Sequence, residues 1–328
     1  MAVDKHTARW RVVGQSVRGA THERAAKPNQ DAIHWLPESG AGLPLILAVA
    51  DGHGSHRSFR SETGARLAVE TATQAISDFL RGQAQTKSLS VIKRAAEEWL
   101  PAALVRRWLE AVSSHHAAHP LSTDELGLPG GVAETSKRDA PANLPVAYGT
   151  TILAAAVSAD FILYLQLGDG EIVTVSQDGE VTRPLPKDER LFANETTSLC
   201  SQDAWRDFRV SFQVLSNTPP ALILLSTDGY PNSFHDETGF LKVGPDILEM
   251  IRTDGLDIVN KHLASWLKES TYAGSGDDVT LGLICSEEAI LPRAAQEEYR
   301  PSSLKRQGEQ GRELNQTEDR DAPVEFEV

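Results

Sequence analysis

Cysteine is almost missing from this sequence: Cys200 and Cys285 are its only two, and no Cys-x-x-Cys pair occurs. Neither a disulfide framework nor a thiolate zinc site is expected from so few thiols, and a reducing cytosol suits such a chain. Positive charge is also short, with 32 Lys and Arg against 46 Asp and Glu and a net charge of -14. Nucleic-acid phosphates bind through Lys and Arg that displace counterions, so this balance disfavours nucleic acid. It disfavours an anionic membrane surface for the same reason. No apolar run approaches the roughly 18 residues a spanning helix requires, and the opening MAVDKHTARW lacks the apolar stretch of a signal peptide. A cytoplasmic protein without membrane partners is expected.

What is present suits a folded chain. Hydrophobic residues make up 40% and charged residues 24% of 328 positions, enough to bury a large core. Short apolar runs ended by turn residues recur: LILAVA at 45–50, TILAAAV at 151–157, FILYLQL at 161–167, EIVTVS at 171–176, ALILLS at 221–226 and VTLGLIC at 279–285. These read as buried strands. Helical spacing marks Ala65, Ala68, Ala72, Ile76 and Phe79, and again Ile92, Ala95, Trp99, Leu104 and Trp108, whose stripes are expected in the core. Pro101 should divide that second helix, and a third helical region is expected from Pro245 to Lys268, interrupted at Asp254 and Gly255. Strands, a helical pair, more strands and then helices point to the α+β class, with antiparallel sheets covered by helices.

Two stretches have no sustained periodicity. Residues 113–146, rich in Ala, Pro, Gly, Ser and charge, are expected as a mobile insertion, and residues 288–328 as a charged, disordered tail. A single domain over 11–287 remains, with 1–10 as an N-terminal extension.

Asp-Gly occurs five times, at Asp51, Asp169, Asp178, Asp228 and Asp254. Asp178 reads as a hairpin turn and Asp254 as a helix end. The other three each follow a strongly apolar strand: LILAVA-DGHG, FILYLQLG-DG and ALILLST-DG. A carboxylate at the rim of a core is costly unless a cation compensates it. A fourth acid comes from Asp277 and Asp278, just before the last apolar run; successive residues of an extended chain face opposite ways, so at most one of them aims at such a site. Every candidate ligand offers oxygen, which favours Mg²⁺ or Mn²⁺ over Zn²⁺.

PNQDA at 28–32, ADGHGS at 50–55, YGTT at 148–151, LGDG at 167–170, LSTDGY at 225–230 and GDDVT at 276–280 resemble, in order and spacing, the motifs of PP2C-type metal-dependent Ser/Thr protein phosphatases. The resemblance runs from about Val12 to Cys285. It implies two central antiparallel β-sheets sandwiched between helices, with a binuclear Mn²⁺ or Mg²⁺ centre at one end. By this resemblance Asp51 bridges both ions, the Gly52 carbonyl binds one, and Asp228 and Asp277 complete the other. Asp31 acts in the second ion's water shell, and Asp169 matches an acid that helps hold a third, weaker ion.

The reaction so implied is hydrolysis of phosphoserine and phosphothreonine on proteins, the products of a Ser/Thr kinase, by a water that two cations acidify. The same likeness gives His53 the task of protonating the leaving alkoxide. The family usually places a phosphate-binding Arg about five residues before the acid of its NQD-like element. Position 26 is Ala26 here, and Arg24 is taken in its stead, with Lys27 and His22 as the other basic groups nearby. Gln30 stands where the family has Glu, Ser55 where a Gly is common, and Asp278 where it has Asn. Thr150 and Thr151 are expected to support packing, and 187–214 corresponds to a variable flap. Two other readings fit the same residues: a catalytically silent phosphopeptide-binding scaffold, and a phosphatase of small phosphoesters.

Overall fold

The structure, a computed structural model, describes residues 9–122, 125, 144–187, 197–215 and 219–287. Each apolar run singled out in the sequence forms a strand: β3 (Leu45–Asp51), β4 (Ile152–Val157), β5 (Phe161–Leu167), β6 (Glu171–Val175), β9 (Leu222–Ser226) and β10 (Val279–Ser286). Four further strands join them, β1 (Trp10–Val17), β2 (Asp31–Leu36), β7 (Val181–Thr182) and β8 (Arg209–Val214). They make two antiparallel five-stranded sheets, ordered β1-β10-β9-β6-β7 and β2-β3-β4-β5-β8.

Alternation along the strands explains the apolar runs. In β3, Leu45, Leu47 and Val49 enter a core shared by both sheets, while Ile46, Ala48 and Ala50 enter a second core beneath helices. In β9, Ile223 and Leu225 face the shared core, and Leu222 and Leu224 a third one. A strand covered on both faces has no polar side to show, so period-2 alternation disappears into a continuous run. Truncating Leu47, fully buried, to Ala is expected to cost about 2–5 kcal/mol.

One outer layer consists of α2 (Ser61–Gly82), α3 (Leu89–Glu98) and α4 (Leu100–Ala118). In α2, Ala65, Ala68, Val69, Ala72 and Ile76 recur at three and four residues, a stripe of small side chains that lets the helix approach its sheet closely. The break between α3 and α4 falls at Trp99, with Pro101 in the first turn of α4, where its missing N–H costs nothing. Trp99 departs from the core assignment: it is 66% exposed, because the break turns it out of the apolar stripe. Trp108 is fully buried, and its Nε1 donates to the Gly64 carbonyl at 3.1 Å. Within the stretch expected as a mobile insertion, helix α4 runs past Ser113 to Ala118; positions 123–124 and 126–143 lie outside the described residues. A short helix, α5 (Leu144–Ala147), leads into β4.

The other outer layer is α6 (Glu237–Asp254) and α7 (Leu256–Ala273), which meet at Gly255 as expected from the Asp-Gly signal. Helix α6 starts earlier than Pro245 would suggest, because the Asp236 side chain caps it by accepting from Gly239 N at 2.9 Å. Part of the expected flap is regular: β8 pairs with β5 at the sheet edge, while 188–196 lie outside the described residues. The expected tail, 288–328, also lies outside them.

Candidate metal centre

Strand register places the first acids. In the β2–β3 pair Asp31 lies directly opposite Asp51, and residues so paired share a face of the sheet. The peptide groups of Asp51 are held by two threonines: Thr151 Oγ1 accepts from Asp51 N at 3.0 Å, and Thr150 Oγ1 donates to Asp51 O at 2.8 Å. Asp31 is buried, and one of its oxygens accepts from both Thr227 Oγ1 and Thr280 Oγ1, at 2.7 and 2.8 Å. Those hydroxyls come from the other sheet, so the acid pins the two sheets together at this end.

A cavity of about 270 Å³ opens there, walled by Asp51, Gly52, His53 and Gly54 after β3, Asp169 between β5 and β6, Asp228 after β9, and Asp277 and Asp278 before β10. Gln30, His22 and Thr151 complete the wall. Thus the structure gathers Asp51, Gly52, His53, Asp169, Asp228 and Asp277 in one place, with Asp31 behind them. The carboxyl groups of Asp51 and Asp228 wall the same cavity, near enough to act on each other's titration.

This crowding shows in the titration of the acids. Burial pushes the Asp31 carboxyl well above the usual carboxylate range, against the pull of its two threonine hydroxyls, and neighbouring Asp278 and Asp277 add to the rise. Asp51 is likewise held well above that range, by burial first and then by Asp31 and Asp228. Asp228 rises through burial and the charges of Asp169 and Asp277. Protons here do what a cation would do better. One further polar atom awaits a partner: Gln30 Oε1 is buried with no hydrogen bond. Five carboxylates on one cavity wall, carbonyl and amide oxygens beside them and no thiolate make a donor set that fits hard divalent cations such as Mg²⁺ and Mn²⁺.

Glycines let the loops close in. A Cβ at Gly229 would stand 2.0 Å from the Asp278 carbonyl oxygen, so only a bare α-carbon allows the Asp228 turn to lie against the Asp277–Asp278 segment. Gly54, at φ +59°, lies against Gln30 Oε1. His53 N donates to Gly149 O at 3.2 Å and its ring packs on Gly149; burial lowers the imidazole pKa while the Asp169 charge opposes that shift.

The model for the protein phosphatase 2C family matches residues 18–268. The chain belongs to that family. Pseudomonas aeruginosa PppA, a key regulatory component of T6SS, shares the fold at TM-score 0.52 and 19% identity, over 84% of this chain and 97% of its own. The Mycobacterium tuberculosis serine/threonine phosphatase PstP/Ppp aligns at TM-score 0.49 and 18% identity, over 85% of this chain and 99% of its own. A PstP catalytic domain in complex with two manganese ions aligns at TM-score 0.48 and 20% identity, with the same coverage. Among curated proteins, none matches this sequence.

Against the 2C phosphatase pattern, Arg24 is the residue the structure does not bring to the site. It ends the short helix α1 (Ala20–Arg24), is exposed, and does not wall the cavity, whereas His22 does. Two residues along a helix turn the side chain by roughly 200°, so His22 and Arg24 cannot face the same way. Among the described residues, no Arg or Lys lines the cavity. Asp278 is the second feature the sequence did not disclose. It is 3% exposed, and its oxygens accept from Gly19 N at 2.6 Å, Gln30 N at 2.7 Å and His22 Nδ1 at 2.8 Å. It braces the wall, while Asp277, exposed, keeps an oxygen toward the space.

Proposed function

We propose that this 2C-family chain hydrolyses phosphoserine and phosphothreonine on proteins, using two divalent cations, Mn²⁺ or Mg²⁺, with a third ion beside Asp169. The observation that carries the proposal is the convergence of Asp51, Gly52, Asp169, Asp228 and Asp277 on one cavity, acids brought together from the strand ends of both sheets that shared cations would compensate. Asp51, the Gly52 carbonyl, Asp228 and Asp277 would hold the pair, and Asp31 would orient the surrounding water. Such cations supply Lewis acidity for the phosphoryl oxygens and a water acidified to near neutrality.

The chain's own groups do the rest. Asp31 and Asp51 are fixed by threonine hydroxyls before any ligand arrives, which lowers the cost of assembling the site. His53 is anchored through its backbone to Gly149; burial lowers its imidazole pKa, and the charge of Asp169 on the same cavity wall works the other way, toward the protonated ring that a leaving alkoxide needs. The reading carries with it phosphorylated protein substrates made by a Ser/Thr kinase in the cytoplasm, and neither nucleic acid nor a membrane as partner. No described helix is long and apolar enough to cross a membrane.

The test is hydrolysis of an aryl phosphate with and without Mn²⁺, followed by a panel of phosphoserine and phosphothreonine peptides. Metal-dependent turnover of both supports the proposal. Turnover of the aryl phosphate alone would leave a small-phosphoester phosphatase, and peptide binding without any metal-dependent turnover would leave a silent scaffold.

A further inference from the structure

Every ligand expected from the sequence offers oxygen, yet the structure sets a nitrogen among them. One ring nitrogen of His22 and one carboxylate oxygen from each of Asp277 and Asp278 lie within 4.8 Å of one another. His22 is mostly buried, with 15% of its side chain exposed, and it walls the same cavity as Asp51 and Asp228.

The hydrogen bonds fix what that imidazole can do. Asp278 already accepts from the main-chain N–H groups of Gly19 and Gln30, so its third contact, with His22 Nδ1 at 2.8 Å, is one in which the ring donates. In the neutral ring this leaves the lone pair on Nε2, which forms no hydrogen bond among the described residues. An imidazole whose Nδ1–H is held by a carboxylate while Nε2 stands free is the arrangement metal-binding histidines adopt, the carboxylate setting both tautomer and ring orientation. A second observation is independent of these acids. Gln30 Oε1, on a residue 8% exposed that walls the same cavity, is buried without a partner and lies against Gly54. An uncharged oxygen left unpaired at this depth is costly unless something in the cavity completes it.

We propose that His22 Nε2 is a direct ligand of the cation that Asp277 binds, with Asp278 as the carboxylate that orients it. The proposal rests on the metal-dependent reading above and adds the kind of ion: one nitrogen in an oxygen set shifts preference from Mg²⁺ toward first-row transition ions, Mn²⁺ among them. It also gives Asp278 a reason to be an acid. An amide oxygen at that position could accept from Nδ1, but without the negative charge that an outer carboxylate sets beside a metal-bound imidazole.

The experiment loads the full chain with Mn²⁺ and reads ¹⁴N couplings by electron spin-echo modulation, with stoichiometry and affinity for Mn²⁺ and Mg²⁺ taken from titration calorimetry. His22→Asn, His22→Gln, Asp278→Asn and His53→Gln are compared after thermal melts select the folded variants. The wild type and His53→Gln should show imidazole nitrogen coupling, and both His22 variants should lack it. Mn²⁺ affinity at one site should fall about 10–100-fold in Asp278→Asn. It should fall in the His22 variants too, with Mg²⁺ affinity changed less. Two bound ions without nitrogen coupling in the wild type, or coupling that survives in a folded His22 variant, would overturn the assignment and leave the phosphatase reading standing. Absence of any Mn²⁺ binding would sink both.

Discussion

Asp51, the last residue of β3, and Asp228, two residues beyond β9, wall one cavity, although their strands belong to different sheets. After burial and Asp31, Asp228 helps hold the Asp51 carboxyl well above the usual carboxylate range, while Asp228 itself is raised by burial, Asp169 and Asp277, so the pair calls for a proton or a cation. Replacing Asp228 by Asn removes one charge from that pair. Catalysis with Mn²⁺ should fall about 100-fold or more, beyond the 10–100-fold that loss of an outer partner costs. The metal-free protein should at the same time melt a few degrees higher. Calorimetric melts beside turnover assays check both; a variant that is inactive but less stable without metal would contradict the repulsion described here.

Metal uptake should release protons. An ordinary Asp titrates at 3.8, and folded Asp31 and Asp51 keep their protons well above that pH because burial and neighbouring carboxylates penalise the charged form. The folded, metal-free chain therefore binds more protons at these two positions than the unfolded chain does. Their contribution to stability is present below pH 3.8 and is lost as pH rises through the raised values. Mn²⁺ affinity should climb with pH across the same window, about tenfold per unit for each proton displaced. Titration calorimetry in two buffers of different ionisation enthalpy counts those protons, and a buffer-independent heat would refute the shifts.

The pair His53 and Asp169 invites an NMR titration. Burial lowers the His53 pKa and the Asp169 charge raises it, so Asp169→Asn should move the imidazole titration to lower pH. In turnover, His53→Gln should impair alkyl phosphates more than aryl phosphates, whose leaving groups need less protonation. Equal losses on both substrates would remove the acid role.

Two tryptophans separate by burial. Trp108→Ala removes a fully buried side chain and a hydrogen bond to Gly64, and should cost about 3–5 kcal/mol. Trp99→Ala alters a residue 66% exposed and should stay within about 0.5 kcal/mol. Urea unfolding at constant slope measures both.

Asp51, Asp169, Asp228 and the Asp277–Asp278 pair are legible in the sequence because each flanks an apolar strand, where a carboxylate is costly to keep without a compensating cation, whereas Asp31 is marked only by the family resemblance. Strands β1, β2 and β8 are not legible in the same way, because half-exposed residues such as Arg11, His34 and Arg209 break the apolar runs that mark the others. The two misplaced helix faces share one origin. Trp99 follows a period that the break before Pro101 interrupts, and Arg24, taken in place of the Arg missing at position 26, sits on an α1 turn that swings it away from His22. Nothing in the residue order reveals that Asp278 turns back to brace Gly19, Gln30 and His22, since those contacts join chain ends more than two hundred positions apart.

The pairing of Asp31 with Asp51 also bears on how this chain can vary in length. The connection between Leu36 and Leu45 lies outside the β2–β3 ladder but is tied to β1, where Val12 N donates to Gly40 O at 2.8 Å and Arg11 bridges Ala41. A single residue inserted within either strand would slip the register and send one acid to the opposite face of the sheet. A length change in the hairpin tip therefore disturbs its hold on β1 and spares the facing acids, whereas one in its legs separates them.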